Sequence, residues 1–404
     1  MTNNPFIDEI RTNDAVRLQK MRPPTGRAAY SDRMAWQMAV LSQLAYIKFE
    51  EQSIEAIGSL AEDLAASNNV NDIQSELVRL LERYRQAFLM RPRPERSLSN
   101  EENFTSRMLL RQILAVCGFK LQGIFPDPEF DPEAEIEGFV ATCDGPHEAY
   151  AVLIFRGTDS FQDWLSNVDA GLQPLEEQEH PGAVSAPHGP KIHGGFHQAY
   201  RHTKDQIARE LQKVGDRQLF IGGHSLGGAL AVIATHFEEK TCLDNGHERV
   251  AACYTFGAPR VGNHTFNEQF HTPIYRIVNS FDPVPMLPPS GGGIAFAKFI
   301  LRAGGGILPA AGLFHLAAEQ VMKKFQGYRH PGDLRYMTAG KDTGGGVFPH
   351  VRFFKTFDVW DRIQRVGSII KRRAFRRPDK FHNMSLYRRK LRYRAIKRDN
   401  ERRC

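Results

Sequence analysis

A serine flanked by glycines carries the clearest chemical signal in this chain of 404 residues. Ser225 stands at the centre of Gly223-His224-Ser225-Leu226-Gly227, after a short β-rich apolar run and before small apolar residues that favour a helix. A strand, G-x-S-x-G and a helix in this order describe a nucleophile elbow, in which the serine occupies a strained turn. Glycines suit the flanking positions because strand and helix pass too close for larger side chains. The pattern predicts that Ser225 is a nucleophile.

A serine hydroxyl needs a base to take its proton and a carboxylate to orient that base. In α/β hydrolases the acid follows the serine along the chain, and the histidine follows the acid. Asp282 is the best candidate acid because it follows the strand-like segment 275–279, at the end where such sheets place functional groups. Weaker candidates for the acid are Asp333, Asp358 and Asp361.

The base is expected among the histidines that follow Asp282, and spacing alone does not choose between them. These histidines are His315, His330, His350 and His382.

An oxyanion hole needs donors aimed at the oxygen that gains negative charge during the reaction. The backbone N–H of Leu226 comes with the elbow itself. A second donor is expected at the end of an earlier strand, where Ala151–Phe155 runs into a polar turn that contains Thr158. This chemistry needs neither a metal ion nor an organic cofactor.

The hydrophobic pattern predicts a sheet that positions these residues. Strands alternate with helices, which is typical of an α/β fold with a mostly parallel sheet, and the first strands add an antiparallel edge. The predicted fold is therefore the α/β-hydrolase fold, with helices flanking the central sheet. The predicted strands cover 118–125, 136–142, 150–155, 217–221, 250–256 and 274–279, and the clearest helices cover 31–50 and 193–212.

One domain is expected over 31–391, after an N-terminal tail at 1–30 and before a basic C-terminal tail at 392–404. Helical insertions are expected near 51–100 and 290–326. The second insertion consists of two apolar pieces around a run of three glycines. A packed helical insertion is the favoured interpretation, and a cap or membrane-contacting hairpin is the alternative.

Composition excludes several classes of protein. Hydrophobic residues make up 41% and charged residues 25%, as in globular proteins. The chain contains no apolar run of the ~20 residues that span a bilayer, and its start lacks the features of a cleavable signal peptide. Five cysteines without C-x-x-C spacing favour reduced thiols over disulfides or a zinc site. We expect a cytoplasmic location at synthesis, with export by a dedicated secretion system as an alternative.

Positive charge is concentrated near the C-terminus. Residues 352–404 contain 19 Lys and Arg but only 5 Asp and Glu, whereas the whole chain has a net charge of +7. Binding to an anionic membrane surface is the favoured functional interpretation, and a solvated, partly helical surface is the alternative. Nucleic-acid binding is disfavoured because no recognised module surrounds the basic residues.

Six segments together resemble the class 3 lipases, the family that includes the filamentous-fungal triacylglycerol lipases and diacylglycerol lipases. The blocks GHSLGG and FGAPRVGN are the most specific of the matching residues. In chain order the segments are VLIFRGTDSFQDWLSN (152–167), KIHGGFHQAY (191–200), FIGGHSLGGALAVI (220–233), YTFGAPRVGN (254–263), YRIVNSFDPVPMLPP (275–289) and DKFHNMSLYRRKL (379–391).

The resemblance implies a role for each candidate residue. It makes Ser225 the nucleophile and Asp282 the acid, and it selects His382 as the base because the family's histidine precedes a tyrosine, here Tyr387. It further implies that Thr158 and Leu226 are the oxyanion donors. A lid is implied over roughly 161–174.

These residues predict a carboxylic ester hydrolase that cleaves acyl esters of lipids, either acylglycerols or phospholipids, through an acyl-enzyme on Ser225. One alternative is a lipid- or partner-binding protein that kept the fold without turnover, which the presence of all the catalytic residue types disfavours. The other is an esterase for small soluble or aryl esters. The sequence does not indicate the head group, the acyl chain length or the oligomeric state.

Overall fold

In the computed structural model, the described residues are arranged around one large sheet. The residues that it describes are 29–46, 54–67, 73–89, 100–126, 137–144, 149–157, 171–175, 189–244, 249–288, 327–340, 342–344, 347–355 and 379–401.

Within the described residues, eight strands form the central sheet, and two more form a small separate ribbon. The strands are β1 (Phe119–Phe125), β2 (Gly138–Asp144), β3 (Ala149–Phe155), β4 (Leu172–Pro174), β5 (Lys191–His193), β6 (Gln218–His224), β7 (Val250–Phe256), β8 (Ile274–Asn279), β9 (Asp333–Met337) and β10 (Phe353–Phe354). The order in the large sheet is β1-β2-β3-β6-β7-β8-β9-β10, and β4 pairs with β5.

The strand directions confirm the predicted mostly parallel sheet with an antiparallel edge. The pairs from β3 through β6, β7 and β8 to β9 are parallel. The pairs β1–β2 and β2–β3 are antiparallel, and β10 adds an antiparallel strand at the opposite edge. Helices must therefore connect the parallel strands across the two faces of the sheet.

Helices cover both faces of this sheet. They are α1 (Asp32–Leu44), α2 (Ile54–Ser67), α3 (Gln74–Leu89), α4 (Asn100–Val116), α5 (Gly194–Gln212), α6 (Leu226–Asp244), α7 (His264–Asn267), α8 (Asp379–His382) and α9 (Met384–Glu401). Among the described helices, none has both the length and the apolar composition needed to cross a membrane.

Alternation along β3 divides the core into two layers. Val152 and Ile154 face the layer that contains α1 to α4 and α9, whereas Leu153 and Phe155 face the layer that contains α5 and α6. This is the two-residue period of a strand buried on both faces. Each face of the sheet is thus closed by its own set of helices.

Helix α1 is buried around most of its circumference, because it lies between the sheet and α9. The Ser31 hydroxyl caps its N-terminus by accepting a hydrogen bond from the Met34 N–H at 3.3 Å. Trp36 in the middle of the helix has no exposed surface. A helix that is apolar on most sides is typical of such a sandwiched position.

The C-terminal helix α9 packs against the domain along its whole length. Its apolar contacts come from Met384, Tyr387, Leu391 and Ala395, which follow the three- and four-residue spacing of one helix face. The helix continues through 392–401, and both Ala395 and Asp399 are buried. The boundary expected after residue 391 therefore falls inside a helix. Residues 392–401 of the expected basic tail are part of this helix, which packs against the domain.

Acidic residues of the N-terminal helices pair with the arginines of α9. Asp63 in α2 contacts Arg388 and lies 3.2 Å from the Nε of Arg392. Asp32 in α1 lies 2.7 Å from Arg398 and 3.7 Å from Arg394. Each carboxylate is thus held by two arginines four residues apart, which is the spacing of neighbours on a helix surface.

Some sequence expectations differ from the structure or fall outside it. Strand β9 carries an exposed Asp333 and a second charged residue, Arg335, which explains why its sequence gave no strand signal. The predicted insertion at 290–326 and residues 1–28 of the predicted N-terminal tail lie outside the described residues. The helices expected near 51–100 correspond to α2, α3 and the start of α4.

Removing the Asp63 carboxylate is expected to loosen α9. In Asp63→Asn, the Arg388 guanidinium keeps its buried position but loses its anionic partner, so the free energy of unfolding should fall by about 3 kcal/mol. Urea denaturation measures this change. The matched control is Asp342→Asn, which removes the partner of the more exposed Arg389 and should cost less than about 1 kcal/mol. Equal losses in the two variants would contradict the proposed difference.

Candidate active site

Ser225 lies at the sharp turn between β6 and α6. Its φ is 57°, and among the described residues it is the only non-glycine residue with a positive φ. Such a conformation costs of order 1–3 kcal/mol and persists only where the surroundings enforce it. The Ser225 N–H donates to the Phe256 carbonyl at 2.9 Å, and the Ser225 carbonyl accepts from the Gly228 N–H at 3.0 Å. The predicted strand, turn and helix are therefore all present.

The glycines of the motif lie where backbone segments touch. A Cβ added to Gly223 would overlap the carbonyl group of Gly227, and one added to Gly227 would overlap the carbonyl oxygen of Phe155. Neither obstacle is a flexible side chain. The glycines thus allow α6 to approach β3 and β6 closely enough to form the turn.

Asp282 is fully buried in the loop after β8. Its Oδ2 lies 2.7 Å from the His382 Nδ1 and accepts from the Tyr387 hydroxyl at 2.5 Å. Its Oδ1 accepts from the Val284 N–H at 2.9 Å. These donors compensate for the loss of water around the carboxylate. Because a carboxylate only accepts, the proton of a neutral His382 belongs on Nδ1, and Nε2 keeps its lone pair.

The ring of His382 lies beside the elbow. It stacks on the ring of His224, the residue before Ser225, with 4.4 Å between ring centroids. The Nε2 of His224 lies 2.7 Å from the His382 carbonyl oxygen. A Cβ on Gly257, which follows β7 with a φ of 62°, would come within 2.9 Å of the His382 ring. The ends of β6, β7 and β8 therefore meet around the Asp282–His382 pair.

The other candidates for acid and base lie elsewhere or outside the described residues. Asp333 lies in β9, 3.3 Å from Arg335, and His350 is exposed. The Nε2 of His330 donates to the Pro285 carbonyl at 2.7 Å. His315, Asp358 and Asp361 fall outside the described residues.

The two predicted oxyanion donors differ in what the structure describes. Leu226 is the first residue of α6, and the first N–H groups of a helix have no acceptor within the helix. Thr158 lies just outside the described residues, as does most of the predicted lid at 161–174. The preceding Gly157 is described, and a Cβ there would come 2.9 Å from the Cβ of Ser225. The chain that enters Thr158 therefore lies against the elbow.

Asn279, which the sequence reasoning missed, connects several parts of the site. Its N–H donates to the Tyr387 hydroxyl at 3.0 Å, and its Nδ2 donates to the Phe381 carbonyl at 2.9 Å. Its Oδ1 accepts from the Lys390 Nζ at 2.5 Å. Its position at the polar end of an apolar strand, three residues before Asp282, was the available sequence signal.

Lys390 is an unusually buried lysine, with only 2% of its surface exposed. Besides Asn279, its Nζ donates to the Thr338 carbonyl at 2.8 Å. Burial lowers the pKa of Lys390 from 10.5 to about 8. A lysine within a basic segment gives no sequence signal of such a position, so only the packing of α9 reveals it.

Residues 152–291 match the model of a family described as "Lipase (class 3)". This match covers about a third of the chain, and over that part the chain is similar to the class 3 lipases. The matched segment runs from β3 through the elbow to the loop that contains Asp282, and it ends before His382. The sheet order, the turn at Ser225 and the position of Asp282 after β8 agree with the α/β-hydrolase fold of this family.

Individual relatives match only part of the chain. Phospholipase A(1) DAD1, chloroplastic, from Arabidopsis thaliana is 33% identical over 171 residues, which is 37% of this chain and 38% of the relative. A lipase from Rhizopus niveus is 28% identical over 169 residues, or 40% of each chain. The chain thus spans about two fifths of the length of these curated relatives. Among solved structures, lipase II from Rhizopus niveus is 22% identical with a TM-score of 0.40, covering 61% of this chain and 74% of that one.

The depressed pKa of Lys390 predicts a specific pH dependence of stability. Below about pH 8, Lys390 is protonated in both the folded and the unfolded chain. Between about pH 8 and 10.5, Lys390 is protonated in the unfolded chain but largely deprotonated in the folded chain. The contribution of Lys390 to the free energy of unfolding should therefore rise with pH in this window, by about 3 kcal/mol in total. In Lys390→Met this contribution is absent.

The measurement is urea unfolding of the wild type and the variant at pH 7.5, 9 and 10.5. The difference between their unfolding free energies should shift in favour of the wild type as the pH rises. The control is Lys397→Met, which changes an exposed lysine of the same helix and should give a constant difference. A constant difference for Lys390→Met as well would contradict the depressed pKa.

Proposed function

We propose that this protein is a serine carboxylic ester hydrolase that acts on acyl esters of lipids. The observation that carries the proposal is the buried Asp282–His382 hydrogen bond of 2.7 Å, placed beside a serine that is held in the left-handed conformation of an elbow. A carboxylate, an imidazole and a serine in this order can activate a hydroxyl for attack on an acyl carbon.

In the proposed mechanism, the Nε2 of His382 accepts the proton of Ser225 while the Ser225 Oγ forms a bond to the ester carbonyl carbon. The tetrahedral intermediate then collapses, and His382 gives the proton to the departing alcohol, which leaves an acyl-enzyme. A water molecule next attacks the acyl carbon, with His382 again as base, and releases the fatty acid and Ser225. The Nδ1 of His382 keeps its proton throughout and donates it to the Asp282 carboxylate as a hydrogen bond, which stabilises the imidazolium form of His382.

The negative oxygen of the intermediate would bind at the start of α6. The Leu226 N–H is the proposed first donor, and the positive end of the helix dipole adds to its effect. Thr158 is the proposed second donor. The close approach of Gly157 to the Cβ of Ser225 supports it, because the next residue along the chain then starts within reach of the nucleophile.

The proposed substrate class is an acyl ester of a lipid. The relatives are named as a phospholipase A(1) and a lipase, which supports a lipid ester and leaves open whether the ester belongs to a phospholipid or an acylglycerol. A small soluble ester is the alternative substrate.

A contact between the basic C-terminal region and an anionic membrane stays a second proposal. Arginines of α9 already form ion pairs with Asp32 and Asp63. Their positive charge is therefore partly neutralised within the chain. Any membrane contact by this region would therefore depend on its other basic residues.

Replacing Ser225 by alanine tests the mechanism. Ser225→Ala should lower kcat for a lipid ester by at least about 10⁴-fold, because no other group then takes the acyl chain. The variant should also lose covalent labelling by a fluorophosphonate. The control is Ser385→Ala, which removes a hydroxyl near His382 that accepts a hydrogen bond from Gln43. It should keep both labelling and turnover.

Two outcomes would reject the proposal. A wild-type protein that neither labels nor hydrolyses esters would favour a binding protein that kept the fold. Turnover by Ser225→Ala above a trace would mean that another residue is the nucleophile.

The substrate class is tested with one short-chain triacylglycerol below and above its solubility limit. A lipid-hydrolysing enzyme should show a rate that jumps when the substrate aggregates, because its substrate is an interface. Initial rates measured by titration of the released acid report the jump. A rate that follows simple saturation through the solubility limit would instead favour an esterase for soluble substrates.

A further inference from the structure

Tyr46 lies beside two segments that the proposed reaction uses, the chain after β3 and the elbow. It lies two residues after the end of α1 and is half-buried. Its ring meets the ring of His224 edge-on with 5.8 Å between centroids, and the Arg156 guanidinium lies over the Tyr46 ring, 5.5 Å from its centre. These contacts hold the phenol ring between β3 and the elbow.

The Tyr46 hydroxyl connects β3 with the elbow through hydrogen bonds. It accepts from the Gly157 N–H at 3.0 Å and lies 3.0 Å from the His224 Nδ1. At the opposite side of the imidazole ring, the His224 Nε2 lies 2.7 Å from the His382 carbonyl oxygen. The hydroxyl and the imidazole thus form one continuous chain of hydrogen bonds.

The direction of each bond follows from the chemistry of its ends. A carbonyl oxygen only accepts, so the His224 Nε2 must carry a proton and donate to His382. Burial, and then the charge of a protonated His382, lower the pKa of His224 well below its usual value, so the ring is neutral. The Nδ1 of a neutral ring with Nε2–H is an acceptor. Tyr46 therefore donates to His224 while it accepts from Gly157.

Each end of this chain is next to a group that the reaction uses. Gly157 precedes Thr158, the proposed oxyanion donor. His224 precedes Ser225, and the carbonyl that His224 binds belongs to His382 itself. A single hydroxyl can therefore set the relative positions of three segments that are far apart in the sequence.

We propose that Tyr46 is a positioning residue of the active site, which uses its hydroxyl to align Gly157, the elbow and, through His224, the His382 base. This inference rests on the proposed function. We assign the hydroxyl a second role. By donating a hydrogen bond to the Nδ1 of His224, it keeps this ring neutral when His382 becomes an imidazolium 4.4 Å away.

The groups around His224 determine how a positive charge on its ring would affect the proton transfer to His382. Among the described residues, the titratable groups that contact His224 are Tyr46, His382 and Tyr387, whose ring lies 5.9 Å from that of His224. Arg156 and Asp282 lie one contact further, against Tyr46 and His382 respectively. A proton on His224 would face the imidazolium of His382 directly and would oppose the proton transfer from Ser225.

The test compares Tyr46→Phe with the wild type. Phenylalanine keeps the ring between Arg156 and His224 and removes only the hydroxyl. We expect kcat to fall about 10-fold at pH 8 while KM changes less than twofold. The ratio of wild-type to variant kcat should grow as the pH falls from 8 to 5.5, because His224 without its donor takes up a proton more readily. A ratio that is constant across this range, or a kcat within twofold of wild type, overturns the proposal.

Tyr150→Phe is the matched control. Its hydroxyl donates to the Gln37 side chain of α1 at 2.7 Å, so the variant also removes a phenol that joins α1 to β3, at the other end of the strand. We expect a lower Tm with unchanged kcat at each pH. If Tyr150→Phe shows the same pH-dependent ratio as Tyr46→Phe, the effect is a general loss of packing and the proposal is wrong.

A readout independent of turnover separates this inference from the proposed function. The ¹⁵N shifts of His224, assigned with a His224→Gln variant, should report Nε2–H with an unprotonated Nδ1 in the wild type and protonation at a higher pH in Tyr46→Phe. Unchanged shifts in the variant overturn the role of Tyr46. If these shifts behave as expected and Ser225→Ala retains turnover, the proposed function fails while the hydrogen-bond chain stands.

Discussion

The buried carboxylate of Asp282 constrains the rest of the structure. A charge without exposed surface is tolerated only when donors surround it, and Asp282 obtains them from His382, Tyr387 and the Val284 N–H. Two of these donors belong to the C-terminal helices, a hundred residues further along the chain. The loop that contains Asp282 and the C-terminal helices therefore depend on each other, because the buried carboxylate would lack two of its hydrogen-bond donors without them.

The docking of α9 meets this requirement. Its apolar face enters the core beside α1, and its arginines pair with Asp32 and Asp63 on the N-terminal helices. Lys390 reaches Asn279 at the end of β8, so the same helix also fixes the strand that leads into the acid loop. The basic composition of this segment thus has a structural explanation within the chain, in addition to any contact with a lipid surface.

Much of the sheet was predictable because its signals are local. The predicted strand at 250–256 and the one at 274–279 match β7 and β8 in full, since each is a short apolar run bounded by turn residues. The elbow was recognisable for the same reason. Strand β9 was missed because two of its five residues are charged, and its burial depends on pairing with β8.

The sequence by itself determined the turn at Ser225 and the position of Asp282 at the end of a strand, because both follow from residues next to each other in the chain. Only a family resemblance chose His382 among the histidines, since their spacing carries no such information. Only the tertiary structure places Tyr46, Asn279 and Lys390 next to the candidate site. Their partners lie far away in the chain: Tyr46 and His224 are 178 positions apart, and Lys390 and Asn279 are 111 positions apart. Hydrogen bonds over such separations exist only once the sheet and its helices have packed.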